Sequence, residues 1–364
     1  MLETPIAKTT SSYAEIKRYF KFYNKQDVLS ITRIRRFETK VGERLQVISN
    51  TGNLDEALSN STARYVIVGI PEDIGVKANY GVGGTDTAWM PFLHSFLNIQ
   101  SNDFLEGSNI LLLGHFDFTE IGKLIENNAH DYEEKTMAYR HAVNQIDEAV
   151  EPLIKLIVEH NKIPIVIGGG HNNSYPLIKG AAKGLYKAGN IPLASINCIN
   201  LDAHADFRPM EGRHSGNGFS YAEEDGYLQK YCIIGLHENY LTQNIWMDVV
   251  NNPFIDFMTY EDIFIHEKRD FLTSIAHATT FTEDTFTGIE VDLDCIENTL
   301  SSATTPCGVH PVHARQFVSY TAADTNTAYL HICEGASKLN DGRSSETTGK
   351  LISFLVSDFI KAKE

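Results

Sequence analysis

The chain has few cysteines, five in 364 residues, scattered at Cys198, Cys232, Cys295, Cys307 and Cys333. Three lie in apolar, strand-like runs. That fits buried free thiols in a reducing cytoplasm better than a disulfide framework. Cys198 has no Cys-His pattern beside it, which argues against a cysteine nucleophile. No apolar run approaches the roughly 18 residues that a membrane span needs, and the N-terminus lacks a signal-peptide apolar region. No block of Lys or Arg stands out, and the net charge is −16. Nucleic acid and anionic membranes are therefore poor partners. Phosphate-cradling motifs are missing too. There is no G-x-x-x-x-G-K-[ST] and no G-x-G-x-x-G after a strand, and Gly81-Val82-Gly83-Gly84 follows a loop. No linker, internal repeat or low-complexity tract divides the chain.

What is present is an ample core: 42% of residues are apolar and 21% charged. Residues 1–60 are polar and mixed, with helical stretches over 13–23 and 27–37. They read as an N-terminal extension packed on a single domain spanning 61–364. From residue 64 the pattern repeats as strand, loop, helix. Strands are predicted at 65–69, 110–113, 163–167, 195–201, 231–234, 255–258, 287–291 and 328–332. Helices are predicted at 132–160, 175–187, 313–321 and 349–363. Near-continuous apolar strands alternating with helices predict an α/β fold with a parallel sheet covered on both faces.

Three of these strands end in metal-ligand side chains. The run from Ile199 ends in Asp202-Ala203-His204-Ala205-Asp206. The run from Ile165 ends in Gly168-Gly169-Gly170-His171, and the run from Ile289 in Asp292-Leu293-Asp294. In open α/β sheets, ligands bind at the carboxyl ends of strands. Four aspartates and two histidines there make a donor set for two divalent ions. Carboxylates and imidazoles with few thiolates suit Mn²⁺, Fe²⁺, Ni²⁺ or Zn²⁺, and a metal pair suits hydrolysis of a polarised carbon or phosphorus centre. His214, His237, His310, His313 and His331 read as loop or internally satisfied histidines.

These motifs resemble the ureohydrolase superfamily of arginases, agmatinases and formimidoylglutamases, over roughly residues 64–364. Glu334, ending Leu330-His331-Ile332-Cys333-Glu334, is a further match. The resemblance implies a three-layer α/β/α domain with a mostly parallel sheet of eight strands and two Mn²⁺ per subunit. It implies that His171, Asp202, Asp206 and Asp292 hold one ion. Asp202, His204, Asp292 and Asp294 hold the other. Metal-activated water would attack an amidine or guanidine carbon. Asp206 would accept its hydrogen bond and help protonate the leaving amine, while Glu334 would orient the cationic amidinium. A small-molecule amidine or guanidine is the implied partner, and a homo-oligomer stays open.

The loop from Arg208 to Ser220 should border the substrate. An arginase-like Ser215-Gly216-Asn217 is present, yet Phe219 stands where arginases carry a histidine. Formimidoylglutamases similarly have Phe there, and tend to have an arginine soon after the second aspartate, as Arg208 is. The Gly69–Val76 segment with Asn79 and Gly81 resembles their N-terminal motif as well. N-formimidoyl-L-glutamate carries two carboxylates, which Arg208 and Arg213 could neutralise, with Ser215 and Asn217 beside them. The expectation is hydrolysis of that compound to L-glutamate and formamide, in histidine breakdown. Arginase, or another guanidino hydrolase releasing urea, is the alternative. Glu290, where a serine is common before the paired aspartates, and Glu297-Asn298 beyond them depart from the pattern.

Overall fold

The computed structural model describes residues 16–48 and 51–364. One nine-stranded sheet runs through it: β1 Phe20–Phe22, β2 Tyr65–Gly69, β3 Ile110–Phe116, β4 Ile163–Ile167, β5 Ile196–Leu201, β6 Leu228–Leu236, β7 Ile255–Thr259, β8 Thr287–Asp292 and β9 Thr327–Cys333. Their order is β1-β3-β2-β4-β9-β8-β5-β6-β7. Every pairing is parallel except β1 with β3.

Alternate side chains feed opposite layers, as strand geometry requires. Val66 and Val68 of β2 join one apolar cluster with Val143, Ile146 and Val150 of the helix Tyr132–Glu159. Tyr65 and Ile67 join the other with Phe317 of Pro311–Asp324 and Leu355 and Phe359 of Thr348–Lys363. Strands buried on both faces explain the near-continuous apolar runs.

All eight expected strands form, some longer than the apolar run implied. The ninth, β1, is a difference from the sequence reading. A helix was expected over 13–23; its first three positions lie outside the described residues. Residues 16–19 are helical, but the chain then extends so that Phe20 pairs with Phe116. Their rings meet edge to face at 4.9 Å, and Phe20 is buried. Side-chain burial at the sheet edge outweighs helical continuation there. The helix expected over 27–37 runs instead from Lys25 to Ile31. Asn24 and Asp27 form a capping box at its start, and Thr32 ends it in extended conformation.

The chain leaves β4 for β5 at the far side of a gap later filled by β8 and β9. This is a topological switch point, where strand ends splay and leave a crevice.

Candidate metal centre

The four adjacent central strands β4, β9, β8 and β5 each deliver side chains to that crevice. After β4, Gly168 and Gly169 adopt φ of 89° and 79°. A Cβ on Gly169 would lie 2.4 Å from Asn173 and 2.8 Å from Ile70 O, so only glycine fits. The buried Glu72 carboxylate gathers this turn. It accepts from Gly170 N–H at 2.9 Å and from Asn173 Nδ2 at 2.8 Å. The turn delivers His171, fully buried. After β5, Asp202 Oδ2 accepts from Asn200 Nδ2 at 2.9 Å and Oδ1 from His204 N–H at 2.7 Å. After β8, Asp292 Oδ1 accepts from Asp294 N–H at 2.7 Å. After β9, Glu334 Oε1 accepts from His171 N–H at 2.9 Å. Asp206 and Glu334 both sit at positive φ, 44° and 60°. Such strain in non-glycine residues is held only where the surroundings over-determine it.

The six expected ligands converge. His171 Nδ1 lies 2.8 Å from Asp206 Oδ2, 3.2 Å from Asp292 Oδ2 and 3.3 Å from Asp202 Oδ2. His204 Nδ1 lies 3.3 Å from Asp294 Oδ2 and 3.6 Å from Asp202 Oδ1. Two donor groups result: His171, Asp202, Asp206 and Asp292, and then Asp202, His204 and Asp294. Asp202 belongs to both. Among the described residues, His171 Nδ1 and Asp294 Oδ1 are buried with no hydrogen-bond partner. The imidazole Nδ1 thus faces several oxygens without a directed hydrogen bond to any, and Nε2 has no partner either. Burial and then the Asp202 charge push the Asp206 carboxyl up; burial and then Asp294 do the same for Asp292. Burial and the Asp294 charge push Glu334 up to about 8. Crowded carboxylates with raised affinity for positive charge, and orphaned donor atoms, fit divalent cations.

Above this floor opens a cavity of about 360 Å³. Asp206, Asp292, Asp294 and Glu334 line it, with Asn79, Arg208, Ser215, Tyr240 and Ile245 around the walls. Arg208 donates to Asn79 Oδ1 at 3.2 Å, and Ser215 Oγ accepts from Asn79 Nδ2 at 3.2 Å. Arg213 and Asn217 were expected beside the substrate, and the fold directs both elsewhere. Arg213 is 1% exposed. Its Nε and one terminal nitrogen grip Asp147 of the helix Tyr132–Glu159 at 2.9 and 3.2 Å. Its remaining donors reach Asn172 O at 2.7 Å and Asn217 Oδ1 at 3.0 Å. Asn217 Nδ2 donates to Gly212 O at 2.8 Å. Both residues brace the loop from beneath. Arg140, on the same helix, donates to Glu211 O at 2.6 Å and ties the loop a second time.

Some participants were not foreseen. Tyr240 stacks on His204 with centroids 5.0 Å apart. Phe219 sets its ring edge-on to His171 at 5.1 Å, and stacks on Tyr231 at 4.2 Å. Beneath His171, Glu290 and His331 form a fully buried pair, with His331 Nδ1 2.5 Å from Glu290 Oε2. Burial raises the Glu290 carboxyl, but the neighbouring His331 and His171 outweigh it and hold it at about 2. The period-two spacing of Glu290 and Asp292 was the available signal that both face one way.

A mostly parallel α/β sheet whose central strand ends gather four aspartates, two histidines and a glutamate has a donor set suited to metal-assisted hydrolysis, and the family it matches consists of hydrolases acting on C–N bonds other than peptide bonds. The arginase family model matches residues 63–358, and the chain belongs to the arginase family. It is 27% identical over 317 residues to the formimidoylglutamase of Macrococcus caseolyticus, covering 86% of this chain and 89% of the relative. A Streptococcus pyogenes formimidoylglutamase is 27% identical over 202 residues, 53% of this chain and 60% of that one. Among solved structures, formimidoylglutamase from Bacillus subtilis superposes with a TM-score of 0.69 at 17% identity, over 91% of this chain and 93% of the other. Trypanosoma cruzi formiminoglutamase with Mn²⁺ superposes at 0.65 and 18% identity, over 89% and 98%. No helix among the described residues is long and apolar enough to cross a membrane.

Proposed function

We propose that the chain hydrolyses N-formimidoyl-L-glutamate to L-glutamate and formamide, using two divalent cations, with Mn²⁺ as the working metal. One observation carries the reading. The cavity has an acidic floor for cations and an amidinium and, among the described residues, a single guanidinium, Arg208, on its wall. His171, Asp202, Asp206 and Asp292 would hold one ion. Asp202, His204, Asp292 and Asp294 would hold the other, with Asp202 and Asp292 shared. Bound there, such a pair supplies Lewis acidity toward water and the amidine.

The chain's own groups do the rest. Asp206 has the most open of the four carboxylates, 12% exposed against 0% for Asp202, 2% for Asp292 and 6% for Asp294. It can take a proton from the attacking water and return it to the departing nitrogen. Glu334 faces the same space, where burial and the Asp294 charge raise its proton affinity; a substrate amidinium would offset both. Arg208 answers a substrate carboxylate. Ser215 and Asn79 hold the Arg208 side of the wall. With Arg213 committed to Asp147, the wall reads one carboxylate by charge, and the second falls to neutral donors. The curated relatives, named formimidoylglutamases, support this substrate. The unpaired thiols, Cys198, Cys232, Cys295 and Cys333 among them buried, support a cytoplasmic setting.

The test is a parallel assay of Mn²⁺-loaded protein on formimidoylglutamate, arginine, agmatine and guanidinobutyrate. Formimidoylglutamate should be turned over best and agmatine negligibly, since it has no carboxylate for Arg208. Faster hydrolysis of arginine would replace this substrate with a guanidino acid.

A further inference from the structure

We propose that Glu290 is a positioning residue for His171, holding the imidazole from below so that Nδ1 faces the carboxylates of the metal floor. The proposal rests on the metal reading above. Glu290 and Asp292 project from the same face of β8, two residues apart, so the glutamate lies one step deeper in the sheet. On neighbouring β9, His331 is the direct register partner of Glu290. Its Nδ1 lies 2.5 Å from Glu290 Oε2. Tyr329 donates its hydroxyl to Oε1 at 2.8 Å. His171 Nε2 faces Oε2 at 3.4 Å, and it has no hydrogen-bond partner among the described residues, so Glu290 is the group placed to accept its N–H. His171, Glu290, Tyr329 and His331 are all 0% exposed.

The arrangement has a chemical purpose. A metal-binding histidine presents one nitrogen to the ion and gives the other N–H to a carboxylate, carbonyl or water, which settles tautomer and ring orientation. His171 has no water-accessible side. Glu290 is the carboxylate nearest its Nε2, and it lies opposite the nitrogen that faces Asp202, Asp206 and Asp292. A lone carboxylate in mid-sheet would be costly. Tyr329 and His331 satisfy it and fix its plane, so that it serves as a firm support.

His171, Glu290, His331 and Cys333 also cluster closely enough to suggest an ion of their own. The contact distances favour a hydrogen-bonded support. Two ligands of one tetrahedral ion lie about 3.3 Å apart when bonds are near 2.0 Å. The His331–Glu290 separation of 2.5 Å is well inside that, with room for a shared proton and none for an ion holding both.

The experiment is Mn²⁺ titration of the full chain by calorimetry, with bound metal counted by elemental analysis. In Glu290→Gln a single amide oxygen cannot accept from His171, His331 and Tyr329 together. One of the two ions should then bind about tenfold to a hundredfold more weakly, and the other nearly as before. KM at saturating Mn²⁺ should not move, because Glu290 touches no substrate. Should that variant fold poorly, Glu290→Leu with His331→Leu and Tyr329→Phe removes the carboxylate together with both groups that donate to it, which spares an unpaired buried hydroxyl. That triple variant should unfold near the wild-type midpoint yet keep the weakened ion. Unchanged affinity in both variants, or equal weakening of both ions, would overturn the proposal. So would a third metal equivalent in the wild type that the variants lose. Wild-type protein that binds no stoichiometric Mn²⁺ would instead reject the metal reading itself.

Discussion

Replacing Arg213 by alanine separates two roles that the sequence alone leaves entangled. If Arg213 reads substrate, the variant should raise KM and leave stability alone. The structure requires the reverse. Arg213 fills a buried slot, paired through two nitrogens with Asp147 and bonded to Asn172 O and Asn217. The Tyr175 and Tyr221 rings flank its guanidinium at 4.8 and 4.9 Å. Truncation strands a carboxylate that is 7% exposed, and breaking a buried pair from one side costs about 3–5 kcal/mol. Denaturant unfolding at neutral pH should show a loss of that order. The penalty should shrink on acidification. Burial already pushes the Asp147 carboxyl up, and the Arg213 charge offsets part of that push. Without Arg213 the folded state binds a proton at Asp147 more readily than the unfolded chain. The variant therefore gains on the wild type as pH falls. Asp147→Leu combined with Arg213→Met should recover most of the loss. An Arg213→Ala protein of unchanged stability and raised KM would refute the reasoning and return Arg213 to the substrate.

Arg208→Ala should behave in the opposite manner: KM for formimidoylglutamate rises by roughly one to two decades, from the loss of about 1.5–3 kcal/mol of charge-assisted contact. Metal content and unfolding midpoint should stay as they were, and a loss of bound metal would reject a purely substrate-facing role. Asp202→Ala should deplete both ions in elemental analysis, since Asp202 belongs to both donor groups, whereas His204→Ala should spare one; equal depletion would count against a shared ligand. His214 is buried, and burial followed by the Arg140, Arg208 and Arg213 charges lowers it to about 3, so only the unfolded chain takes its proton between about 6.5 and 3. Folding stability therefore falls on acidification through that window. His214→Asn keeps an acceptor for the Gly216 N–H, which His214 Nδ1 now accepts at 3.1 Å. In metal-saturated protein it should reduce the stability lost between about pH 7 and pH 5 by up to about 2 kcal/mol; identical acid sensitivity would show that other groups dominate.

The convergence of the aspartates and histidines was legible because its signals are local. Ile165–Ile167, Ile199–Leu201 and Ile289–Val291 are strand-like runs followed closely by metal-ligand residue types, and glycine at 168 and 169 marks a turn only glycine makes. The eight parallel strands followed from the same runs. What escaped depends on partners far along the chain. Arg213 and Asp147 are 66 residues apart, so the loop arginine looked free. Glu290 and His331 meet only through the β8–β9 register, and each alone reads as an oddity. Three-residue β1 has too little length for a period to appear, and its pairing depends on Phe116.

The loop that borders the cavity is fastened to one face of a single helix, through Arg140 and Glu211 on one turn and Asp147 and Arg213 two turns on. This affects how such a protein can be diversified. On the proposed function, substrate choice belongs to the loop and metal chemistry to the strand ends, so the two look independently exchangeable. The fastening makes the loop and the helix patch a joint unit of inheritance. A loop transplanted from a relative without its own matching helix residues would arrive with an unpartnered carboxylate or guanidinium in the core. Directed evolution of new amidine specificity on this scaffold should therefore draw its library jointly from positions 140 and 147 and from the loop 207–220, and accept substitutions there in correlated pairs.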